Sequence, residues 1–401
     1  MVRGAAAPHY GNARNQHWRS TSQFRCRREP IVHRRRRAHT ALPLPPALHL
    51  PTHVFRGAAH ASRSRRFVRP RNNRACRARD HVRGRGAPRL SAPAPAPFFT
   101  VVIPTFDRPR ALEACLRALV AQELPRDHFE VVVVDDGSSA SPDRVVERFR
   151  TTLAIRLIEQ PSAGPGAARN RGAWAARGQY LAFTDDDCLP DPGWLSALAA
   201  RIAEHPRVAV GGQVVNALGN GIYSTASQLL IEFLYRYYNA DATGGRFFIT
   251  SNLAVPVAAF RELGGFDASF PLAAAEDRDL CDRWRERGYE MVYAESAVVR
   301  HAHALTLVSF CQQHFNYGRG ANHLHLARSR RGKGKLRLEP LRFYSALVWY
   351  PLSTAVSARN GALSLLALLS QVAYASGYLL ERVAGRRFQP HAAMASPEGG
   401  S

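Results

Sequence analysis

Three consecutive carboxylates, Asp185-Asp186-Asp187, close the short apolar run Tyr180-Leu181-Ala182-Phe183-Thr184. Side by side they repel one another, so they require a cation, donor groups or open water. Two readings compete: hard oxygen ligands for Mg2+ or Mn2+ shared with substrate phosphates, with Asp185 and Asp187 as the contacts, or a solvated turn where a strand gives way to a helix. A second acidic cluster, Glu276-Asp277-Arg278-Asp279, heads a segment whose Leu280, Cys281 and Trp284 form an apolar stripe. Its carboxylates either favour a helix N-terminus through the macrodipole or supply a general base that deprotonates a hydroxyl. His301 and His303 end a β-branched run, where two histidines on one strand face could include a metal ligand or be ordinary solvated side chains.

The elements that must position these groups follow a repeated pattern. Phe98–Ile103 is a β-branched and aromatic run closed by Pro104, and Asp107 before Arg108-Pro109 has the form of a helix cap, followed by Leu112, Cys115, Leu116 and Leu119 at helical spacing. Val131–Val134 runs into Asp135-Asp136-Gly137-Ser138-Ser139, with a helix expected around 142–149. Leu153–Ile158 is a third strand, and Gly164-Pro165-Gly166 opens a helix through Arg177. Tyr180–Phe183 is the fourth, after which Asp191-Pro192 caps a helix through Leu195, Leu198 and Ile202. Four strand–helix units predict an α/β fold with a mostly parallel, Rossmann-like sheet flanked by helices. Such sheets bind ligands beyond the carboxyl ends of their strands, where each of these polar clusters falls. Its position therefore favours a ligand role for the acidic triplet.

The other strand-end groups admit two readings each. Asp136 could accept from a base or ribose, or fold into an Asx turn with Gly137-Ser138. Pro104, Thr105 and Phe106 could offer backbone groups and an aromatic face to the same base, or serve as cap chemistry. Gly164–Gly166 is too short for a dinucleotide or P-loop fingerprint, yet it sets a helix start beside Arg169-Asn170-Arg171, which would suit a diphosphate. Those arginines could equally be solvated helix surface.

Charge is unevenly spread. Residues 1–97 carry 22 arginines, no lysine and two acids, Glu29 and Asp80, so the remaining 304 residues hold only +4 of the net +24. With the Pro-Ala repeat before Phe98, this segment is expected to be disordered: upstream coding outside the gene product, a targeting segment, or a tail for anionic partners. The near-neutral body makes a specific nucleic-acid partner unexpected. The six cysteines form no CxxC pair, and Cys115, Cys188 and Cys281 read as buried thiols in a reducing, cytoplasmic setting.

Six motifs in order give the chain a specific resemblance to family 2 glycosyltransferases of the GT-A fold over residues 98–305. They are Val-Ile-Pro-Thr-Phe-Asp-Arg, Val-Val-Asp-Asp-Gly-Ser, Gly-Pro-Gly-Ala-Ala-Arg-Asn-Arg-Gly, the Asp triplet, Gly-Gly-Phe-Asp, and Glu-Asp-Arg-Asp-Leu followed by Arg283. The resemblance implies an inverting, metal-dependent transferase using a nucleotide-diphospho-sugar donor. It places Pro104, Thr105, Phe106 and Asp136 on the nucleotide, Arg169 and Asn170 along the diphosphate and sugar, and Asn252 near the donor sugar or acceptor. Asp185 and Asp187 become the DxD pair and Asp277 the catalytic base; beside them Asp186 and Glu276 are expected to line the donor, and His301, from its strand position, to join the metal set. Arg283-Trp284 lacks the Gln three places before Arg that marks processive synthases, so single-sugar transfer to a glycan or lipid-linked acceptor is expected. A sugar-nucleotide nucleotidyltransferase is the rival, but it would want a Gly-rich basic turn where Pro-Thr-Phe-Asp stands.

Residues 306–401 read as a helical region. Tyr317-Gly318-Arg319-Gly320 and the basic run 328–335 precede two apolar stretches, Phe343–Val356 and Gly361–Leu380. The second has bilayer length but contains Ser364, Ser370 and Gln371. Peripheral contact with the inner face of the membrane through 341–380 competes with packed helices or a homodimer interface.

Overall fold

The computed structural model describes residues 96–384 apart from Asn220, 240–244, 271–273, 334–338 and Ala355. The Arg-rich extension, most of the Pro-Ala repeat and the end of the basic run lie outside the described residues. Eight strands form one sheet: β1 (Phe99–Thr105), β2 (Phe129–Asp135), β3 (Ile155–Glu159), β4 (Tyr180–Phe183), β5 (Cys188–Pro190), β6 (Ala209–Asn216), β7 (Leu253–Pro256) and β8 (Met291–His301). Their spatial order is β3-β2-β1-β4-β7-β6-β8-β5. The first four are parallel, as the repeated strand–helix pattern requires. Beyond β4 the sheet is mixed: β7 runs antiparallel to both β4 and β6, and β5 antiparallel to β8.

Alternation along β1 explains why both faces are covered. Val101 and Ile103 pack with Leu112, Cys115, Leu116 and Leu119 of α1 (Pro109–Val120), whereas Val102 joins Leu181, Phe183 and Phe260 on the other side. Helices α2 (Asp143–Glu147), α3 (Pro165–Trp174), α4 (Trp194–Glu204), α5 (Ile222–Tyr238) and α6 (Val257–Glu262) follow in chain order. Helix α7 (Glu276–Glu286) is anchored by Leu280, Cys281 and Trp284, all buried as their spacing predicted. Each large apolar side chain so buried contributes about 1.5–3 kcal/mol.

Two expected caps are replaced by tertiary bonds. Arg108, not Asp107, occupies the α1 cap position, and the Asp107 carboxylate instead accepts from the Ser139 amide (2.8 Å) and hydroxyl (2.7 Å). Asp191 leaves Gly193 to start α4 and accepts from Arg300 at 2.6 and 2.9 Å. In both cases a partner distant in sequence outcompetes the local helix amides.

After β8 come α8 (Leu307–Arg330), α9 (Leu341–Thr354) and α10 (Ala358–Val383). Two glycines let α8 and α10 meet backbone to backbone. A Cβ on Gly318 would fall 1.9 Å from the Tyr374 carbonyl oxygen, and one on Gly377 would fall 2.0 Å from that of Phe315. Gly320 rests against Ala274 just before α7, where a Cβ would meet the Ala274 carbonyl at 2.4 Å. The Tyr317-Gly318-Arg319-Gly320 segment thus ties the C-terminal helices to the turn that launches α7.

Candidate active site

The strand register gathers the polar clusters. Thr105 and Asp135 are paired ends of β1 and β2, and the triplet emerges from β4 on the other side of β1. Immediately after the triplet, β5 pairs Cys188 with His301 of β8, and the Ala302 amide donates to the Asp187 carbonyl at 2.8 Å. That register brings His301 Nε2 to 3.2 Å from the Asp187 carboxylate. Two residues far apart in sequence therefore meet because their strands are neighbours.

Each acid of the triplet is compensated differently. Asp185 accepts from Arg169 Nη2 at 2.7 Å. Asp186 is buried, accepts from the Thr105 hydroxyl at 2.8 Å, and faces Arg108 Nη1 at 3.3 Å. Burial pushes its carboxyl up to about 6 against the Thr105 bond that pulls it down. Burial also pushes on Asp187, but the hydrogen bond and charge of His301, with Arg108 at 3.0 Å, win and hold it down at about 2. Arg108 thus spans Asp186 and Asp187, a role that its place before Pro109 does not signal.

Arg169 is the junction. Its buried guanidinium donates to Asp185 with one nitrogen and to Glu276 of α7 with the other, at 3.0 Å. Burial opposes its charge, yet the two carboxylates more than restore it, so the group stays cationic. The metal-side cluster and the α7 cluster are therefore one site. Burial raises both Glu276 and Asp277 above ordinary carboxylates, offset at Glu276 by Arg169 and at Asp277 by Arg278. Asp277 is half-buried and accepts from the following amide, Arg278 N, at 2.7 Å; its side chain has no ion-pair partner within 4 Å among the described residues. A desolvated, unpaired carboxylate suits proton abstraction.

Other residues expected at the site are engaged inside the protein. Asp136 accepts from Gln160 Nε2 (2.7 Å) and the Ala163 and Gly164 amides (2.9 and 2.8 Å), holding the loop that opens α3. Asn170 bonds both backbone groups of Phe266 at 2.8 Å, fixing the Gly264-Gly265 turn. Asn252 is fully buried; its amide donates to the Gln213 and Ala297 carbonyls and accepts from the Trp194 indole, each at 2.8 Å. Pro104 is buried within β1, whereas Phe106 is 48% exposed and presents an open ring beside Thr105.

One contributor comes from beyond residue 305. The Tyr317 hydroxyl on α8 pairs with the Gln313 side-chain amide at 2.7 Å. Burial pushes this phenol up to about 12, with Asp277, Glu276 and Asp185 all adding to the rise. It stands within electrostatic reach of both acidic clusters. Gln313 Oε1 is buried without a hydrogen-bond partner. The sequence signal was the Tyr-Gly-Arg-Gly segment, whose Gly320 seats α8 against the α7 turn.

As for a metal, the ligand atoms of Asp187, Cys188 and His301 lie within 4.8 Å of one another. The carboxylate and imidazole fit Mg2+ or Mn2+; the Cys188 thiol, kept protonated by burial, does not.

Comparison with known proteins covers the triplet and Arg169. The family model for glycosyl transferase family 2 matches residues 100–264. A glycosyltransferase of Haloferax volcanii, AglE, is 30% identical over 227 residues, spanning 56% of this chain and 73% of that protein. The validoxylamine A glucosyltransferase of Streptomyces hygroscopicus subsp. limoneus is 30% identical over 260 residues, with 57% of each chain covered. Among solved structures, a Pyrobaculum calidifontis mannosyltransferase in complex with GDP-Man and Mn2+ superposes with a TM-score of 0.50 at 21% identity, covering 72% of this chain and 86% of that one.

Proposed function

This chain belongs to glycosyl transferase family 2 and has the GT-A fold, and from that premise we propose that it is an inverting, metal-dependent enzyme moving one sugar from a nucleotide-diphospho-sugar to an acceptor hydroxyl. The observation that carries the reading is Arg169, whose two nitrogens join Asp185 to Glu276 and so set the triplet beside the helix that bears Asp277. The Mn2+ and GDP-Man of the structural neighbour agree with the donor class, and the glucosyltransferase relative with sugar transfer.

Asp187 and His301 would hold the divalent ion, with Asp185 nearby; when bound, it offsets the charge that gathers on the departing diphosphate. Phe106 and Thr105 line the nucleotide side. Asp136 and Asn170 act through the backbone they fix, as positioning residues for the α3 loop and the Gly264-Gly265 turn. Asn252 supports the β6–β8 wall. Asp277 takes the proton of the acceptor hydroxyl while that oxygen bonds the anomeric carbon, and the bond to the nucleotide diphosphate breaks on the opposite face. Tyr317 donates its hydroxyl proton to a hydroxyl in the gap between Asp277 and Asp185. The acceptor is a glycan or lipid-linked hydroxyl, and the enzyme works on the cytoplasmic side.

The test is a panel of UDP- and GDP-sugars assayed for nucleotide release with Mn2+, Mg2+ or EDTA. Release from at least one donor, lost in EDTA and in Asp277→Asn while that variant still binds the donor, is the expected result. Unchanged turnover in Asp277→Asn would overturn the base assignment.

A further inference from the structure

Helix α10 is two-faced along its whole length. Leu363, Ser370, Gly377 and Glu381 are buried against the protein, whereas Leu365, Leu368, Val372, Leu379 and Val383 are between 48% and 83% exposed. Spacings of three, four and seven put the exposed set on one stripe. By length and composition this helix could cross a membrane. Its inner face argues against crossing: Glu381 is buried and bound to Arg319 (2.6 Å) and His323 (3.2 Å), and Gly377 touches the α8 backbone. Surrounding α10 with lipid would break that ion cluster and that contact.

What covers the stripe is decided by charge. Residues 306–401 contain 12 Lys and Arg against three acids, so a second copy docked here would set like charge against like. Arg382, on the last turn, flanks the stripe at about 100° per residue, whereas Arg359, on the first turn, falls on the inner face and donates to the Gly219 carbonyl at 3.3 Å. An apolar stripe flanked by Arg382, on a helical region of net positive charge, complements an anionic lipid surface, with the stripe in the acyl boundary and the guanidinium at headgroup level.

We propose that α10 seats this protein in the plane of an anionic lipid surface, lying along the interface and not across it. The experiment is co-sedimentation of the full chain with 7:3 POPC:POPG vesicles in roughly 0.5 M NaCl, which screens the Arg-rich first 97 residues. The charge-neutral double substitution Leu368→Asn/Val372→Asn should lower partitioning at least tenfold, as should Leu365→Asn/Leu379→Asn. Val308→Asn, an equally exposed change on α8, should leave it unaltered. In roughly 0.1 M salt, Arg382→Gln should also weaken binding. Equal partitioning of wild type and both stripe variants would overturn the proposal. So would a wild type that stays in the supernatant and sediments as a dimer that the stripe variants split. Vesicle binding reads the stripe alone, so its outcome is independent of the donor reading.

Discussion

The two halves of the site handle negative charge in opposite ways. On the metal side each carboxylate has a cationic or hydroxyl partner: Arg169 for Asp185, Thr105 and Arg108 for Asp186, His301 and Arg108 for Asp187. On the base side Asp277 is desolvated and unpaired by any cation within 4 Å among the described residues. On the proposed reading, one half holds charge and the other takes up a proton. Backbone strain marks both: Asp107 (φ 52°) and Ala275 (φ 72°) are the two non-glycine residues with positive φ among the described residues, one beside Arg108 and one just before Glu276. Each costs about 1–3 kcal/mol, which the surrounding bonds offset.

The largest effect that would test this contrast is loss of the base. Asp277→Asn should cut turnover by about 10^2–10^4-fold with donor affinity retained, read as nucleotide release beside a donor titration. The same variant should be more stable than wild type at neutral pH. Burial raises the Asp277 pKa in the folded state, so ionising it weakens the fold. The advantage of Asn should therefore appear as pH rises through that raised value and vanish below the ordinary carboxylate range near about 4. Urea midpoints across pH measure it, and a destabilised variant at pH 7 would contradict the desolvation argument. Next is the junction. Arg169→Met leaves Glu276 and Asp185 facing each other without their shared cation, and should cost about 3–5 kcal/mol in urea unfolding.

How much of this was legible in the sequence depends on where each side chain spends its hydrogen bonds. The four parallel strands and the strand-end placement of Asp185–Asp187 followed from β-branched runs closed by polar turns, and the α7 stripe followed from its spacing. The mixed half of the sheet did not, because the two-residue pairing of β6 with β7 and the three-residue strand β5 lack a periodic signal of their own. Asp107 and Asp191 had the form of caps, yet each found a stronger partner outside its helix. Asp136, Asn170 and Asn252 matched binding positions, but their amide and carboxylate bonds go to backbone and side chains of this chain, which residue type alone cannot reveal. Tyr317 lay beyond the expected domain boundary, in a helix that the fold swings back over the base.

Tyr317→Phe sharpens the contrast on the base side. Removing one neutral hydroxyl donor should lower turnover by roughly three- to tenfold, the worth of about one hydrogen bond, without changing donor affinity. A parallel loss of donor affinity would instead place the phenol on the nucleotide.

The smallest effect is the most discriminating for the metal side. Arg108 lies 3.0 Å from Asp187 and 3.3 Å from Asp186, but its side chain is 55% exposed, so solvent limits each pair to about 0–1 kcal/mol. If Arg108 serves mainly to balance the triplet, a divalent ion must compete with it for the Asp187 carboxylate. Arg108→Ala should then tighten Mn2+ binding by up to about fivefold, read by Mn2+ electron paramagnetic resonance titration without donor. If its guanidinium swings out to the donor diphosphate, Mn2+ affinity should hold while donor affinity falls. The sign of the change therefore tells whether the charge held at this end belongs to the protein's own balance or to the substrate.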